Sequence, residues 1–233
     1  DPRAWNIDTQ RRKRTLHALM GEFPCASALA LAHTKKLGQL DAFLSSIEFH
    51  DSVQNRGSMA LAFVEFLRRL HQEERIDEAQ FLEILMVEVQ KAKCRRNLEL
   101  DSVQLAPHEI IRNPGVVTSA LNSTVIEGMN VIEEYIYELS LIPTIALCDD
   151  KPPFPKLPLP KNQGNFFLLF RPQDGDIGIT PVSIVVHDAL RELEKPLSKD
   201  VFFERMNKRG LASKSCEQLL VSLVQEKLVT YSS

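Results

Sequence analysis

The stretch that decides how this chain divides is residues 151–175, KPPFPKLPLPKNQGNFFLLFRPQDG. Its first half places Pro152, Pro153, Pro155, Pro158 and Pro160 close together, out of 13 prolines in the chain. Each removes a backbone donor and fixes φ near about −65°, so neither a helix nor a central strand survives that density. Residues 151–162 therefore read as an extended, semi-rigid connector of polyproline type. A ligand for an SH3-like partner is the sharper alternative to a plain linker. The second half changes character at once. Asn165, Phe166, Phe167, Leu168, Leu169, Phe170 and Arg171 read as a strand, Pro172 to Gly175 as a turn ending in Asp-Gly, and Ile177 and Ile179 alternate with smaller or polar residues. This predicts a β-hairpin. Because Phe166 to Phe170 is apolar at every position, both faces of the strand must be covered. A hairpin also leaves an edge of unpaired N–H and C=O groups, to which an extended peptide can add. Residues 165–171 are thus the candidate peptide-binding edge.

Working outward, the front of the chain reads as helices. Asp8 and Thr9 are suitable N-caps before Leu16, Leu19 and Met20, and Pro24 restarts the chain. Ala26 to His33 and Leu37 to Phe49 continue as short helices, with Leu40, Phe43, Leu44 and Ile47 spaced along one face. Asn55 to Gln72 carries the strongest stripe, through Met59, Phe63, Phe66, Leu67 and Leu70. In Asp77 to Arg96 the acids come early and the bases late, which complements the helix dipole. Val116 to Ile126 and Val131 to Leu139 contain β-branched residues and tyrosines, and are expected to have strand character. After the hairpin, Pro181 leads a helix, Ser198 caps a second that Gly210 ends, and Ser213 or Ser215 opens a third with Leu219, Leu220, Leu223 and Val224 inward. Val229 and Tyr231 close as a strand. The expected fold class is α+β, mainly helical: an N-terminal helical bundle (1–100), a mixed strand segment (101–150), the proline-rich connector (151–162) and a winged-helix-like C-terminal domain with its small β-sheet and hairpin (163–233).

Composition limits the function. With 233 residues and 28 Lys+Arg against 31 Asp+Glu, the formal charge of −3 supplies no general field toward nucleic acid or an anionic membrane. The 9 glycines fall below average usage, and no G-x-x-x-x-G-K or G-x-G-x-x-G phosphate loop occurs. No apolar run reaches the ~18 residues of a spanning helix. Cys25, Cys94, Cys148 and Cys216 are scattered without C-x-x-C spacing, as expected of buried thiols in a reducing compartment. The charged opening has no apolar signal-peptide core, so cytoplasm is the expected location.

No catalytic constellation emerges. The 6 histidines form no H-x-x-x-H pair, and no G-x-S-x-G elbow accompanies a serine. Adjacent carboxylates such as Glu133 and Glu134 point to different sides of a helix or strand, so they are poorly placed to share a proton. The one dense basic run is Arg11, Arg12, Lys13 and Arg14, which a partner or nucleic acid could use, against the plainer reading of a solvated face. With Phe63 and Phe66, Arg11, Arg12 and Arg14 are the candidate partner interface, because the front helices carry more large apolar residues than one bundle seam needs. The expected third C-terminal helix has Glu217 and Glu226 against Lys214 and Lys227, which favours a protein-binding module over a DNA reader.

At this point the order of parts resembles a known family. Phe23-Pro24-Cys25 in a helical front half, an aromatic stretch near Tyr135, Leu157-Pro158-Leu159-Pro160, then Asn165 to Arg171 followed by Asp174-Gly175, and a helical tail closing at Leu228-Val229 are together similar to the methanobactin biosynthesis partner proteins, the MbnC family. The resemblance spans nearly the whole chain. It implies a non-catalytic subunit in the cytoplasm of a bacterium, with no cofactor in this chain and iron in its partner. That partner is an MbnB-like TIM-barrel, multi-iron enzyme, with which the subunit forms a heterodimer. The subunit helps hold the leader of an MbnA-like precursor peptide while a cysteine and its preceding residue become an oxazolone and thioamide with dioxygen. A winged-helix DNA-binding regulator and a partner of a related peptide-modifying iron enzyme are the alternatives. Neither nucleic acid nor membrane is an expected partner.

Overall fold

The computed structural model describes residues 2–35, 37–96, 106–141, 152–161, 164–170 and 177–232. These form a mainly helical fold with two small antiparallel three-stranded sheets, in two compact units: Asp1–Val89 with Asn122–Asn162, and Gln90–Leu121 with Gln163–Ser233.

The first unit begins with α1 (Pro2–Glu22), whose proline start supersedes the expected caps at Asp8 and Thr9, both inside the helix. A proline in the first turn gives up an N–H that has no helical partner anyway. The same device opens α2 (Pro24–Thr34). The single helix expected over Leu37 to Phe49 is broken into α3 (Leu37–Asp41), a 3₁₀ turn and α4 (Ile47–Gln54). Ser46 is the cause: its backbone is extended at ψ 163°, and its side chain accepts the Phe49 N–H. Ser58 does the same at the head of α5 (Met59–Gln72), so that helix starts later than its apolar pattern suggests. α6 (Phe81–Arg96) follows.

Their shared core is aromatic. Phe23, Phe43, Phe63, Phe66 and Phe81 are buried, and the Phe43 ring meets Phe63 edge-on at 5.1 Å and Phe66 at 5.6 Å. Burying each such ring stabilises the unit by about 1.5–3 kcal/mol relative to exposure.

The strand character expected over Val131 to Leu139 is overturned: α7 (Val125–Leu141) covers it. Val125, Met129, Ile132 and Tyr135 recur at helical spacing and are buried, whereas Glu127, Glu133, Glu134 and Glu138 point outward. A continuous helical stripe outweighs the β preference of individual branched residues.

In the second unit, β1 (Glu109–Arg112) is the central strand of one sheet, between β5 (Leu197–Ser198) and β6 (Val229–Tyr231). Helices α8 (Ile184–Glu192), α9 (Lys199–Lys208) and α10 (Ser213–Gln225) share its core through Leu190, Phe202, Met206, Leu220 and Leu223. Ser183 and Ser198 cap α8 and α9, while Gly210 closes α9 at φ 90°. Pro181, expected at the start of α8, instead lies in a strand.

The second sheet orders β2 (Val116–Asn122), β3 (Gly164–Phe170) and β4 (Gly178–Val182). β3 and β4 pair antiparallel with Leu168 opposite Thr180, as the hairpin reading expects, and the turn residues lie outside the described set. The hairpin and the closing strand β6 thus belong to different sheets.

Candidate functional site

The residues expected to offer a strand edge do not have one. β3 lies between β2 and β4, so β3 is the central strand and the outer strands of this sheet are β2 and β4, of which β4 belongs to the hairpin. Phe167, Leu168 and Leu169 are buried, Asn165 is exposed, and Arg171 lies outside the described residues. Phe166 is half-buried, its ring 4.6 Å from that of His187. Phe170 stands opposite Gly178 in the ladder.

β4 is itself a poor template. Its Pro181 pairs in register with Phe167, and a proline fits a strand when its missing donor faces away from the neighbour. The outward row of β4 therefore lacks a donor at Pro181, leaving Ile179 as the outward N–H within the strand.

The candidate partner interface also separates. Phe63 and Phe66 are 0% and 2% exposed, because the stripe of α5 faces the aromatic core, so they offer no docking surface. Arg12 is tied to Asp41 at 3.1 Å. Arg11 and Arg14 remain exposed and, with Gln10 and Thr15, line a shallow groove on α1.

The structure brings a different set together in the second unit. The backbone N–H of Asn113 donates to Leu228 O and that of Ser232 to Glu109 O, both at 2.9 Å. In an antiparallel ladder this parity turns the N–H and C=O of Val229 and Tyr231 away from β1. β6 is, with β5, an outer strand of this sheet, and among the described residues no strand pairs along its far side. Beside it, Lys199, Leu220, Val221, Val224, Gln225 and Tyr231 line a groove of about 260 Å³.

Val221, Val224 and Tyr231 are 50%, 39% and 39% exposed there, so Val224 is not inward as its spacing suggested. The sequence signal was present but ambiguous: α10 carries apolar residues over more of its circumference than one buried face needs. Lys199 at the end of the groove contacts Glu217 at 3.4 Å and lies over the Phe203 ring, which partly neutralises its charge.

Other polar groups are built into the packing. Thr118 donates its hydroxyl proton to Phe167 O and accepts from His187 Nδ1 at 2.8 Å, which places the ring proton on Nδ1. Burial lowers the pKa of His187, keeping the ring neutral. Cys25, Cys94 and Cys216 are buried thiols, and burial pushes Cys94 and Cys216 above the ordinary thiol range; Cys148 lies outside the described residues. Among the described residues, no three His, Cys, Asp or Glu side chains are grouped to hold a metal ion, and no helix is long and apolar enough to cross a membrane.

Compared with models of protein families and with curated proteins, the chain gives no match.

Proposed function

We propose that this protein is a non-catalytic subunit that binds an extended precursor peptide along β6 and delivers it to a companion enzyme. In the fuller reading implied by the resemblance, that companion is a TIM-barrel, multi-iron oxidase of the methanobactin type. α8, α9 and α10, with β1, β5 and β6, then act as a winged-helix-like peptide-binding unit.

The observation that carries this reading is the pairing of an outward row of main-chain groups, at Val229 and Tyr231, with an apolar groove on α10. Strand addition draws affinity from the main chain and specificity from pockets that take alternate side chains. The charge on and just after α10, Lys214 and Lys227 against Glu217 and Glu226, favours a peptide over a nucleic-acid phosphate row.

The test is co-expression with the open reading frames encoded beside the gene. The chain is expected to co-purify with the enzyme and to bind its precursor peptide. Val221→Asp and Val224→Asp should weaken peptide binding at least ~10-fold, equivalent to ~1.4 kcal/mol, with unchanged circular dichroism. Recovery of the chain alone, or salt-sensitive binding to duplex DNA in its place, would overturn the proposal.

A further inference from the structure

The proline segment 152–161 is more than a connector within the first unit. Pro153, Pro155, Pro158 and Pro160 have φ fixed by their rings, and Pro152, Phe154, Leu157 and Leu159 each precede a proline, which confines them to extended backbone. Such a polyproline II run has three residues per turn and no internal hydrogen bonds, so its carbonyls are unclaimed acceptors aligned every third residue. Three side chains of the unit claim carbonyls on one such edge. Tyr135 Oη donates to Pro152 O at 3.0 Å, Gln80 Nε2 to Pro158 O at 2.7 Å, and Asn122 Nδ2 to Lys161 O at 2.6 Å. Positions 152, 158 and 161 differ by multiples of three, so they fall on the same side of the run. The opposite ridge, Pro153, Lys156 and Leu159, is exposed, with Leu159 at 84%.

The reading groups are themselves held in place. Asn122 Oδ1 also accepts the Lys161 N–H at 3.2 Å, so its carboxamide engages that residue as a neighbouring strand would. Gln80 is 1% exposed, and its second amide proton goes to Thr124 Oγ1 at 2.8 Å. Gly128 makes the space: a Cβ there would stand 2.8 Å from Gln80 Oε1 and 3.8 Å from Pro158 Cδ. Tyr135 and Phe154 meet edge-on at 5.3 Å, in a groove of about 630 Å³ lined also by Leu31, Leu37, Pro152 and Pro153. Phe154, Pro152 and Pro153 belong to the segment itself, so the unit meets it with the Tyr135 ring, Leu31 and Leu37 and with fixed donors aimed at its carbonyls; an aromatic surface with such donors is the chemistry by which proline-rich segments are recognised.

We infer that the first unit carries a binding site for a polyproline II segment and that residues 152–161 are its resident ligand. The carbonyl edge that an outside proline-binding partner would read is already engaged within the chain.

The test uses the full chain with all five prolines of the segment changed to Ser, which weakens the resident ligand, and a labelled peptide PPFPKLPLPK added in trans. The serine variant is expected to take up the peptide, whereas the unaltered chain takes up at least ~10-fold less. Adding Gln80→Ala and Asn122→Ala should remove the uptake. No uptake by a serine variant with native circular dichroism would overturn the inference. If that variant does not fold, trypsin cleavage after Lys156 decides. It should be slow in the unaltered chain and at least ~10-fold faster in Gln80→Ala, and equal rates would overturn the inference.

Discussion

Two residues carry consequences out of proportion to their size. Glu88, 2% exposed, accepts the N–H groups of Cys25 at 2.8 Å and Ala26 at 3.0 Å, serving the head of α2, where Phe23 provides no side-chain cap. A carboxylate at a helix N-terminus also meets the positive end of the dipole. Glu88→Ala strands two buried donors, and urea denaturation should show a loss of about 2–4 kcal/mol; a loss under about 0.5 would refute this role. Gly128 offers an opposite lesson. Alanine is the better helix former by about 1 kcal/mol, yet a Cβ at 2.8 Å from Gln80 Oε1 forces the carboxamide off its two partners. Gly128→Ala is expected to destabilise by about 1–2 kcal/mol, and by much less in a Gln80→Ala background. Equal losses in both backgrounds would mean that Gln80 is not what the methyl group meets.

Among elements, α8 and α9 are tied by an ion network in which Glu192 meets Arg205 at 2.8 Å and Arg209 at 2.6 Å, while Asp188 meets Arg209 at 2.9 Å. The hydrogen bond from Arg205, followed by that from Arg209, lowers the pKa of Glu192. A carboxylate whose folded pKa is depressed contributes stability above its unfolded pKa, and that stability is lost as pH falls through the folded value. Glu192→Gln should therefore be less stable than the parent at pH 7, by about 1 kcal/mol or less because the arginines are partly exposed, and the difference should narrow at about pH 3. Denaturant titrations at the two pH values would check this, and a difference independent of pH would speak against the network. The helices of this region were largely legible in the sequence, because Ser198 and Gly210 are strong local end signals. α7 was not, since Val131, Tyr135 and Tyr137 favour strands individually and only the buried stripe from Val125 to Tyr135 reveals the period. The break at Ser46 was equally hidden, because the apolar spacing of Leu40, Phe43, Leu44 and Ile47 continues across it.

For the whole molecule, the front helices up to Arg96 were legible, whereas the segment 101–150 expected as strand holds α7 as well; the strand within 165–171 was legible too, and it is buried on both faces at Phe167, Leu168 and Leu169. Its place in the sheet was not legible. Whether a strand is central or an edge depends on a partner, β2, that is distant in sequence, and local pattern carries no information about it. The same limit hid the groove: Tyr231 comes beside Val221 and Val224 only because β1, from far upstream, pairs with β6 and fixes its register. The basic run on α1 was legible as charge, and its pairing through Arg12 to Asp41 was not. If an extended peptide adds to β6, as proposed, amide hydrogen exchange along that strand will register it. In the presence of saturating precursor peptide, the outward-facing N–H groups of Val229 and Tyr231 should slow at least ~10-fold while those of β4 remain unchanged. Unchanged exchange at Val229 and Tyr231, with the peptide bound, would contradict strand addition at this edge.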